Sequence, residues 1–156
     1  MPQAATADAL IAACKSGDAR SAARILRRDG SLANCADSDG RSPLFWASFY
    51  GHESVVRLLL KNGATIDRAD SEGRTPLWVA CQNSHESTAR LLLSKGATVD
   101  FANNLGSTSL FVASQNNHVA SALLLLDKGA SINLAEKISG ATPLCIASLL
   151  GNEALA

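Results

Sequence analysis

A run of three leucines returns along this chain at a fixed interval of 33 residues. Leu58–Leu60 recurs as Leu91–Leu93 and again as Leu124–Leu126. The same interval separates single histidines and Gly-Ala pairs, at His52, His85 and His118 and at Gly63-Ala64, Gly96-Ala97 and Gly129-Ala130. A period of this length indicates a stacked array, in which each unit buries an apolar face against its neighbours. Because such arrays present a long continuous surface, the period favours binding over catalysis.

The period divides the chain into units of about 5–36, 37–69, 70–102, 103–135 and a truncated 136–156. The first unit matches the pattern weakly. The last stops at Ala156, early in what would be its second helix, and arrays need a polar cap at each end. We interpret this end as a boundary inside a longer array. An unusually short natural cap, or end-to-end association of chains through this unit, are the alternatives.

Each unit predicts a turn followed by two helices. The turn has the form Asp-x-x-Gly, in which Asp bonds to its own backbone and Gly tolerates positive φ. The predicted N-caps of the first helices are Ser42, Thr75, Thr108 and Thr142, with a proline following at Pro43, Pro76 and Pro143. Gly51 permits a left-handed link to the second helix, which carries the leucine triplet.

This pattern resembles the ankyrin repeat over about residues 5–156. The resemblance is carried by Gly40-Arg41-Ser42-Pro43-Leu44, Ala47, Gly51-His52, Val55-Val56, Leu58-Leu59-Leu60, Gly63-Ala64 and Asp67, with their copies downstream. It implies an all-α solenoid of helix–loop–helix units with β-hairpin fingers, forming a single domain over residues 1–156. The short first helices and the fingers would then line a concave groove, and the second helices would form the convex back.

The chain departs from the family pattern in several units. The histidine that usually follows Thr-Pro-Leu is replaced by Phe45, Trp78, Phe111 and Cys145. Ser84 and Asn117 stand where Gly usually links the helices, and Ser109 replaces proline. Because Ser and Asn tolerate positive φ less well than Gly, we expect units three and four to be less stable locally, by ~1 kcal/mol per departure.

Bulk composition excludes some partners and compartments. Lys and Arg total 14, as do Asp and Glu, so no general attraction to nucleic acid or an anionic membrane is expected, although local patches remain open. The N-terminus lacks the basic start of a secretory signal, and no apolar run is long enough to span a membrane. We therefore predict an intracellular chain, cytoplasmic or nuclear.

Motifs that carry chemistry are missing from the sequence. It holds no nucleophile elbow, zinc-protease motif or phosphate loop. Stacked units lie roughly 10 Å apart, whereas a zinc ion needs each ligand within about 2 Å. The three histidines therefore cannot share an ion. The resemblance implies instead that each caps its second helix and bonds to a neighbouring loop. We predict a non-enzyme without cofactor or metal.

The cysteines are Cys14, Cys35, Cys81 and Cys145, and none forms a CxxC pair. An even count would allow two disulfides, but partly buried free thiols are the favoured interpretation. Asn34 and Asn133 hold the position at which asparaginyl hydroxylases act on ankyrin repeats. The alternative is that Asn is chosen there for its turn conformation.

The predicted partner-binding side chains lie on the first helices and in the fingers. They are Asp39, Arg41, Phe45, Phe49, Tyr50, Glu72, Arg74, Trp78, Gln82, Asn83, Phe111, Gln115 and Asn116. Phe49 and Tyr50 are the strongest candidates, because they are large aromatic residues at the end of the first helix, where side chains usually vary and face outward. For Phe45, Trp78 and Phe111, filling the space between units is an equal alternative. The Asp39–Arg41 and Glu72–Arg74 pairs could also be surface ion pairs of little energetic value.

These features predict a protein–protein interaction module that binds a protein or peptide through its groove and fingers, most simply as a monomer. Two other classes of function stay open. The array could target or regulate a longer enzyme or channel, or it could be a self-associating or engineered scaffold without a natural ligand.

Overall fold

A computed structural model of the chain describes residues 2–149 and 151, with side chains from Thr6 onward. Helices alone make up the regular structure of this part. They are α1 (Pro2–Ser16), α2 (Ala19–Arg28), a 3-10 helix (Gly30–Asn34), α3 (Pro43–Phe49), α4 (Glu53–Lys61), α5 (Pro76–Gln82), α6 (Glu86–Ser94), α7 (Ser109–Gln115), α8 (Val119–Asp127) and α9 (Pro143–Leu149). The chain is therefore an all-α repeat solenoid, as predicted. The predicted second helix of unit five falls largely outside the described residues.

The four predicted N-caps begin the short helices α3, α5, α7 and α9. Each side-chain oxygen accepts a hydrogen bond from the backbone N–H three residues later. The bonds are Ser42 with Phe45 at 3.1 Å, and Thr75 with Trp78, Thr108 with Phe111 and Thr142 with Cys145 at 3.2 Å each. The first residue of each of these helices is thus determined by the Ser or Thr side chain directly before it.

The helices form two layers. The first layer contains α1, α3, α5, α7 and α9 packed side by side, and the second contains α2, α4, α6 and α8. In each leucine triplet the middle residue is 0% exposed, at Leu59, Leu92 and Leu125, whereas its neighbours are less completely covered. Burial of one such side chain contributes roughly 1.5–3 kcal/mol. The triplets therefore hold the second layer onto the first.

The predicted β-hairpin fingers are tight turns, because the described residues contain no strand. In the turn at 70–74, the N–H of Asp70 donates to the carbonyl of Arg74 at 3.1 Å, and the N–H of Gly73 donates to that of Asp70 at 3.0 Å. Five residues are too few for a longer ladder of paired strands. Successive turns are joined by backbone bonds, such as Ser71 N–H to Asp39 at 2.9 Å. We keep the name fingers for the turns at 37–41, 70–74, 103–107 and 136–141.

The prediction that the histidines cap their own helices and bond to neighbouring loops is confirmed for their positions but wrong for the bonds of their rings. Each stands at an N-cap position, but its ring makes no capping bond. The rings instead bond to carbonyls in the first helix of the preceding unit, His52 to Lys15, His85 to Phe49 and His118 to Cys81, each at 3.0 Å. Carbonyls in the last turn of a helix have no partner within it. The histidines therefore connect one unit to the next.

The ring of His118 is turned relative to the other two. His52 and His85 bond through Nε2, whereas His118 bonds through Nδ1. A Cβ on Gly51 would lie 2.5 Å from Nδ1 of His85, so that ring requires a glycine beneath it. Below His118 the corresponding residue is Ser84, which does carry a Cβ and has φ 59°. We attribute the turned ring to this substitution.

Replacing Ser84 by Gly is expected to raise the free energy of unfolding by about 1 kcal/mol, because a non-glycine residue at positive φ is strained. The melting temperature should rise by about 2–4 °C in thermal unfolding followed by circular dichroism. Asn117→Gly is the matched control. Asn117 has φ 57°, but asparagine tolerates this region better than serine, so the gain in stability should be smaller. A fall in stability for Ser84→Gly would contradict this account.

Candidate functional site

The first helices and fingers of units three to five surround a depression of about 440 Å³. We call it the groove. Six of the predicted partner-binding residues line it, namely Glu72, Arg74, Trp78, Gln82, Phe111 and Gln115. The lining also includes Asn103, Leu105, Ser107, Glu136, Ser139 and Ile146, which are not among the predicted partner-binding residues. Side chains 33 residues apart in sequence thus meet on one surface.

The floor of the groove is aromatic and rigid. Trp78 is 7% exposed and Phe111 5% exposed, so each presents only an edge. The indole Nε1 of Trp78 donates to the backbone carbonyl of Ser107 at 3.1 Å, which fixes the ring against the next finger. Phe45 is also buried. This burial favours the alternative in which these three rings fill the space between units.

A buried carboxylate organises the fingers. The side chain of Asp70 is 0% exposed, and its Oδ2 accepts from Arg74 Nε at 2.9 Å and Nη2 at 2.7 Å. Its Oδ1 accepts the backbone N–H groups of Glu72 at 3.0 Å and Arg74 at 2.9 Å. Arg41 Nε lies 3.8 Å from Oδ2 on the other side. Asp70 begins an Asp-x-x-Gly turn, as predicted, but it was not among the predicted partner-binding residues, although an Asp or Asn begins each of the first three fingers, at Asp37, Asp70 and Asn103.

The predicted finger ion pairs are present at the surface. Arg41 Nη1 lies 2.9 Å from Asp39 Oδ2, and Arg74 Nη2 lies 3.1 Å from Glu72 Oε1. Both carboxylates are more than half exposed, so each pair contributes little by itself. Because Asp70 engages Arg74 as well, the main role of Arg74 in the free chain is to neutralise a buried charge.

The aromatic cluster on α3 exposes one ring. Trp46 donates from Nε1 to Asp37 Oδ2 at 2.9 Å, and Lys15 Nζ lies 3.9 Å from its ring centroid. Tyr50 stacks on Trp46 with ring centroids 6.1 Å apart and is 45% exposed. Phe49 is partly buried against the core. Of the two strongest sequence candidates, Tyr50 is therefore the more accessible to a partner.

Two glutamines supply free hydrogen-bonding groups along the groove. Within the described chain, no hydrogen bond of the side-chain amide of Gln82 or Gln115 is found. Asn83 Nδ2 donates to the carbonyl of Val79 at 2.9 Å, and Asn116 Nδ2 donates to that of Gln82 at 3.2 Å. The asparagines thus stabilise the helix ends, while the glutamines face the groove unpaired.

The carboxylate of Glu136, in the last finger, also lines the groove. Glu136 accepts the backbone N–H groups of Ile138 at 2.8 Å and Ser139 at 2.9 Å, and the Ser139 hydroxyl donates to it at 2.7 Å. These bonds, led by the Ser139 N–H, lower the pKa of Glu136. The group therefore stays ionised at neutral pH, and its charge is used to hold the turn.

The thiols are free, and their environments differ. Burial raises the pKa of Cys14 and of Cys81 to about 12, so both stay protonated at neutral pH. Burial also raises the pKa of Cys35. Cys145 is exposed, and the hydrogen bond with the Thr142 side chain lowers its pKa. No group of three or more His, Cys, Asp or Glu side chains over residues 2–149 and 151 is arranged to hold a metal ion.

Asn34 connects two units through its amide. Its Nδ2 donates to the carbonyl of Gly63 at 2.9 Å, and its Oδ1 accepts the N–H of Thr65 at 2.8 Å. Asp67 accepts the N–H of Thr98 in the same way at 3.1 Å. Asn133 is exposed. Hydroxylation of either asparagine stays a prediction.

Comparison with known protein families adds an independent finding. A family model described as ankyrin repeats, in three copies, matches residues 3–70 and 64–136. The search of curated proteins found no match. Among the described residues, no helix has the length and apolar character needed to cross a bilayer.

Proposed function

The chain belongs to the ankyrin repeat family, and from this premise we propose that it binds a protein or peptide partner through its groove and fingers. Repeats of this family are generally protein-interaction modules and typically not enzymes. The observation that carries the proposal is the groove of about 440 Å³, which collects predicted contact residues from two successive units. An aromatic floor with a few polar groups around it is the usual composition of a recognition site.

The partner would enter a preformed surface. Finger turns held by Asp70 and ring edges held between units lose little freedom on binding, which limits the ordering cost. Gln82 and Gln115 occupy matching places one unit apart, at the roughly 8–10 Å spacing of packed helices. An extended peptide advances about 3.3 Å per residue, so its backbone amides could meet both glutamines about three residues apart.

The test replaces accessible groove side chains and leaves the finger network intact. Gln82, Leu105 and Gln115, which all line the groove, are changed together to Ala, while Arg74 is kept because it neutralises Asp70. We expect partner binding to weaken about tenfold or more, which corresponds to about 1.4 kcal/mol. The partner is first identified by pull-down and mass spectrometry with the unaltered chain, and its affinity is then measured with both proteins purified.

A matched control changes Ser54, Ser87 and Lys128, which are exposed outside the groove, to Ala. Partner affinity should then stay unchanged. If the groove variant keeps both its melting temperature and full partner affinity, the groove is not the binding site.

The alternatives from the sequence remain hypotheses. Self-association has one observation in its favour, because Ile138 is 78% exposed and Leu149 81% exposed at the C-terminal end of the described chain. Sedimentation velocity over a range of concentrations distinguishes it from partner binding, since only self-association makes the sedimentation coefficient of the isolated chain rise with concentration.

A further inference from the structure

Four arginines form a stripe on the outer face of α2. The inner face of this helix is apolar and buried, at Ala22, Ile25 and Leu26. The exposed residues of the helix are Arg20, Arg24, Arg27 and Arg28, and no other residue of α2 is exposed to the same degree. Because a helix turns once in 3.6 residues, spacings of three and four place these side chains together on one face.

The stripe lacks carboxylate partners. Among the described residues, no ion pair involves any of the four arginines, whereas Arg57 on α4 and Arg90 on α6 pair with a glutamate one turn earlier. The carboxylates at the two ends of α2 have other roles. Asp18 accepts the N–H of Ser21 at 3.0 Å, and Asp29 accepts that of Ser31 at 3.0 Å. Hydrogen bonds from Ser21 chiefly lower the pKa of Asp18, with a smaller contribution from Arg20.

Arg20 and Arg24 oppose folding of the free chain, whereas Arg27 and Arg28 lie in the last turn of α2, where the helix dipole favours a cation. Arg24 lies four residues from both Arg20 and Arg28 and three from Arg27, so its charge is repelled from both directions along the helix. Arg20 lies in the first turn, where the helix dipole disfavours a cation. A stripe kept only for solubility or helix stability would use the glutamate–arginine spacing that α4 and α6 show. The repulsion indicates that the charges are kept for contact with another molecule.

Further cations lie on the neighbouring helices of the second layer. α2 packs beside α4, and α4 beside α6. A depression of about 360 Å³ at the ends of α4 and α6 is lined by Arg57, Leu60, Lys61 and Lys95, without an acidic residue. Arg57 is paired with Glu53, so Lys61 and Lys95 are the cations of this depression that have no ion pair within the described residues, and we call these two lysines together with the arginines of α2 the basic back. The chain as a whole has a formal charge of zero, so the basic back is a local concentration of charge.

We propose that the basic back is a second docking surface, which binds an acidic segment of a protein. Arginine forms two parallel hydrogen bonds to a carboxylate, so a row of arginines suits a row of Asp or Glu side chains. The stripe offers no exposed apolar side chain to insert into a lipid bilayer and no aromatic ring to stack on an unpaired base, which disfavours an inserted membrane anchor and a single-stranded nucleic acid. This surface lies outside the groove, so its failure would leave the groove proposal untouched.

The test measures binding of a fluorescein-labelled oligo-glutamate peptide by fluorescence anisotropy at low and at physiological salt. The full chain is compared with Arg24→Gln/Arg27→Gln/Arg28→Gln. A control variant, Lys15→Gln/Lys128→Gln/Lys137→Gln, removes the same charge outside the basic back. We expect the arginine variant to bind at least tenfold more weakly and the control to change less than about twofold. Binding should weaken as salt rises.

Three results would overturn the proposal. They are no binding of oligo-glutamate to the unaltered chain, equal weakening by both variants, and tighter binding to phosphatidylcholine–phosphatidylserine vesicles or duplex DNA than to oligo-glutamate. A stability measurement separates a binding role from a structural one. Arg24→Gln alone should raise the melting temperature by about 1–3 °C, since glutamine has a similar helix propensity and the repulsion is relieved. A lower melting temperature would show that Arg24 stabilises the fold, and charge repulsion would then no longer indicate a binding role for the arginines.

Discussion

Replacing Asp70 by Ala is expected to lower the free energy of unfolding by about 3 kcal/mol. The change removes a carboxylate that is 0% exposed and leaves Arg74, 18% exposed, without its principal partner. Breaking a buried ion pair from one side costs about 3–5 kcal/mol. We place this case at the lower end because Arg74 also reaches Glu72 at 3.1 Å. Equilibrium urea unfolding followed by circular dichroism measures the change.

The next finger provides the control for this prediction. Asn103 accepts the N–H groups of Leu105 at 3.0 Å and Ser107 at 2.9 Å, so it makes the turn without a charge. Asp70→Asn/Arg74→Ser introduces the first and last residues of that finger one unit earlier. We expect this double variant to lose less stability than the sum of its single changes, with a coupling energy of about 1–2 kcal/mol. Additive losses would mean that the Asp70–Arg74 pair does not act as a unit.

The helices could be predicted from sequence because their signals are local. A Ser or Thr before a proline begins a first helix, so the hydrogen bonds that Ser42 and Thr75 accept appear where expected. The ring orientation of His118 could not be predicted in this way. We attribute it to Ser84, which stands in the preceding unit where the other histidines have a glycine, and a repeat pattern gives the positions of residues but not the rotations of their side chains.

The site was predicted less completely for a similar reason. Periodicity shows that Trp78 and Phe111 face the same side, but the extent of their cover depends on the fingers packed over them. Leu105 lines the groove from the third finger, at the position that Asp39 and Glu72 hold in the first two fingers. An apolar side chain therefore replaces a charged one at this position. That substitution is visible in the sequence, and comparing fingers position by position would have identified it.

Replacing Leu92 by Ala is expected to lower the free energy of unfolding by about 3–4 kcal/mol. Leu92 is 0% exposed at the centre of the α6 triplet, and α6 packs between α4 and α8. Removing a fully buried leucine side chain costs the transfer free energy and that of the remaining cavity, typically 2–5 kcal/mol in total. In a stacked array each unit is stabilised only by its neighbours, so a cavity in a central unit weakens two interfaces. The melting temperature should fall by about 10 °C.

Leu93→Ala is the matched control, because Leu93 has the same chemistry one position later but is only partly buried. Its loss should be about 1–2 kcal/mol, in proportion to the apolar area that it covers. The difference between the two variants measures how strongly each second helix is buried on one side. Equal losses would mean that the whole triplet is enclosed. The arrangement in which α6 buries only one side against the first layer would then be wrong, because its outer side would be covered as completely as its inner side.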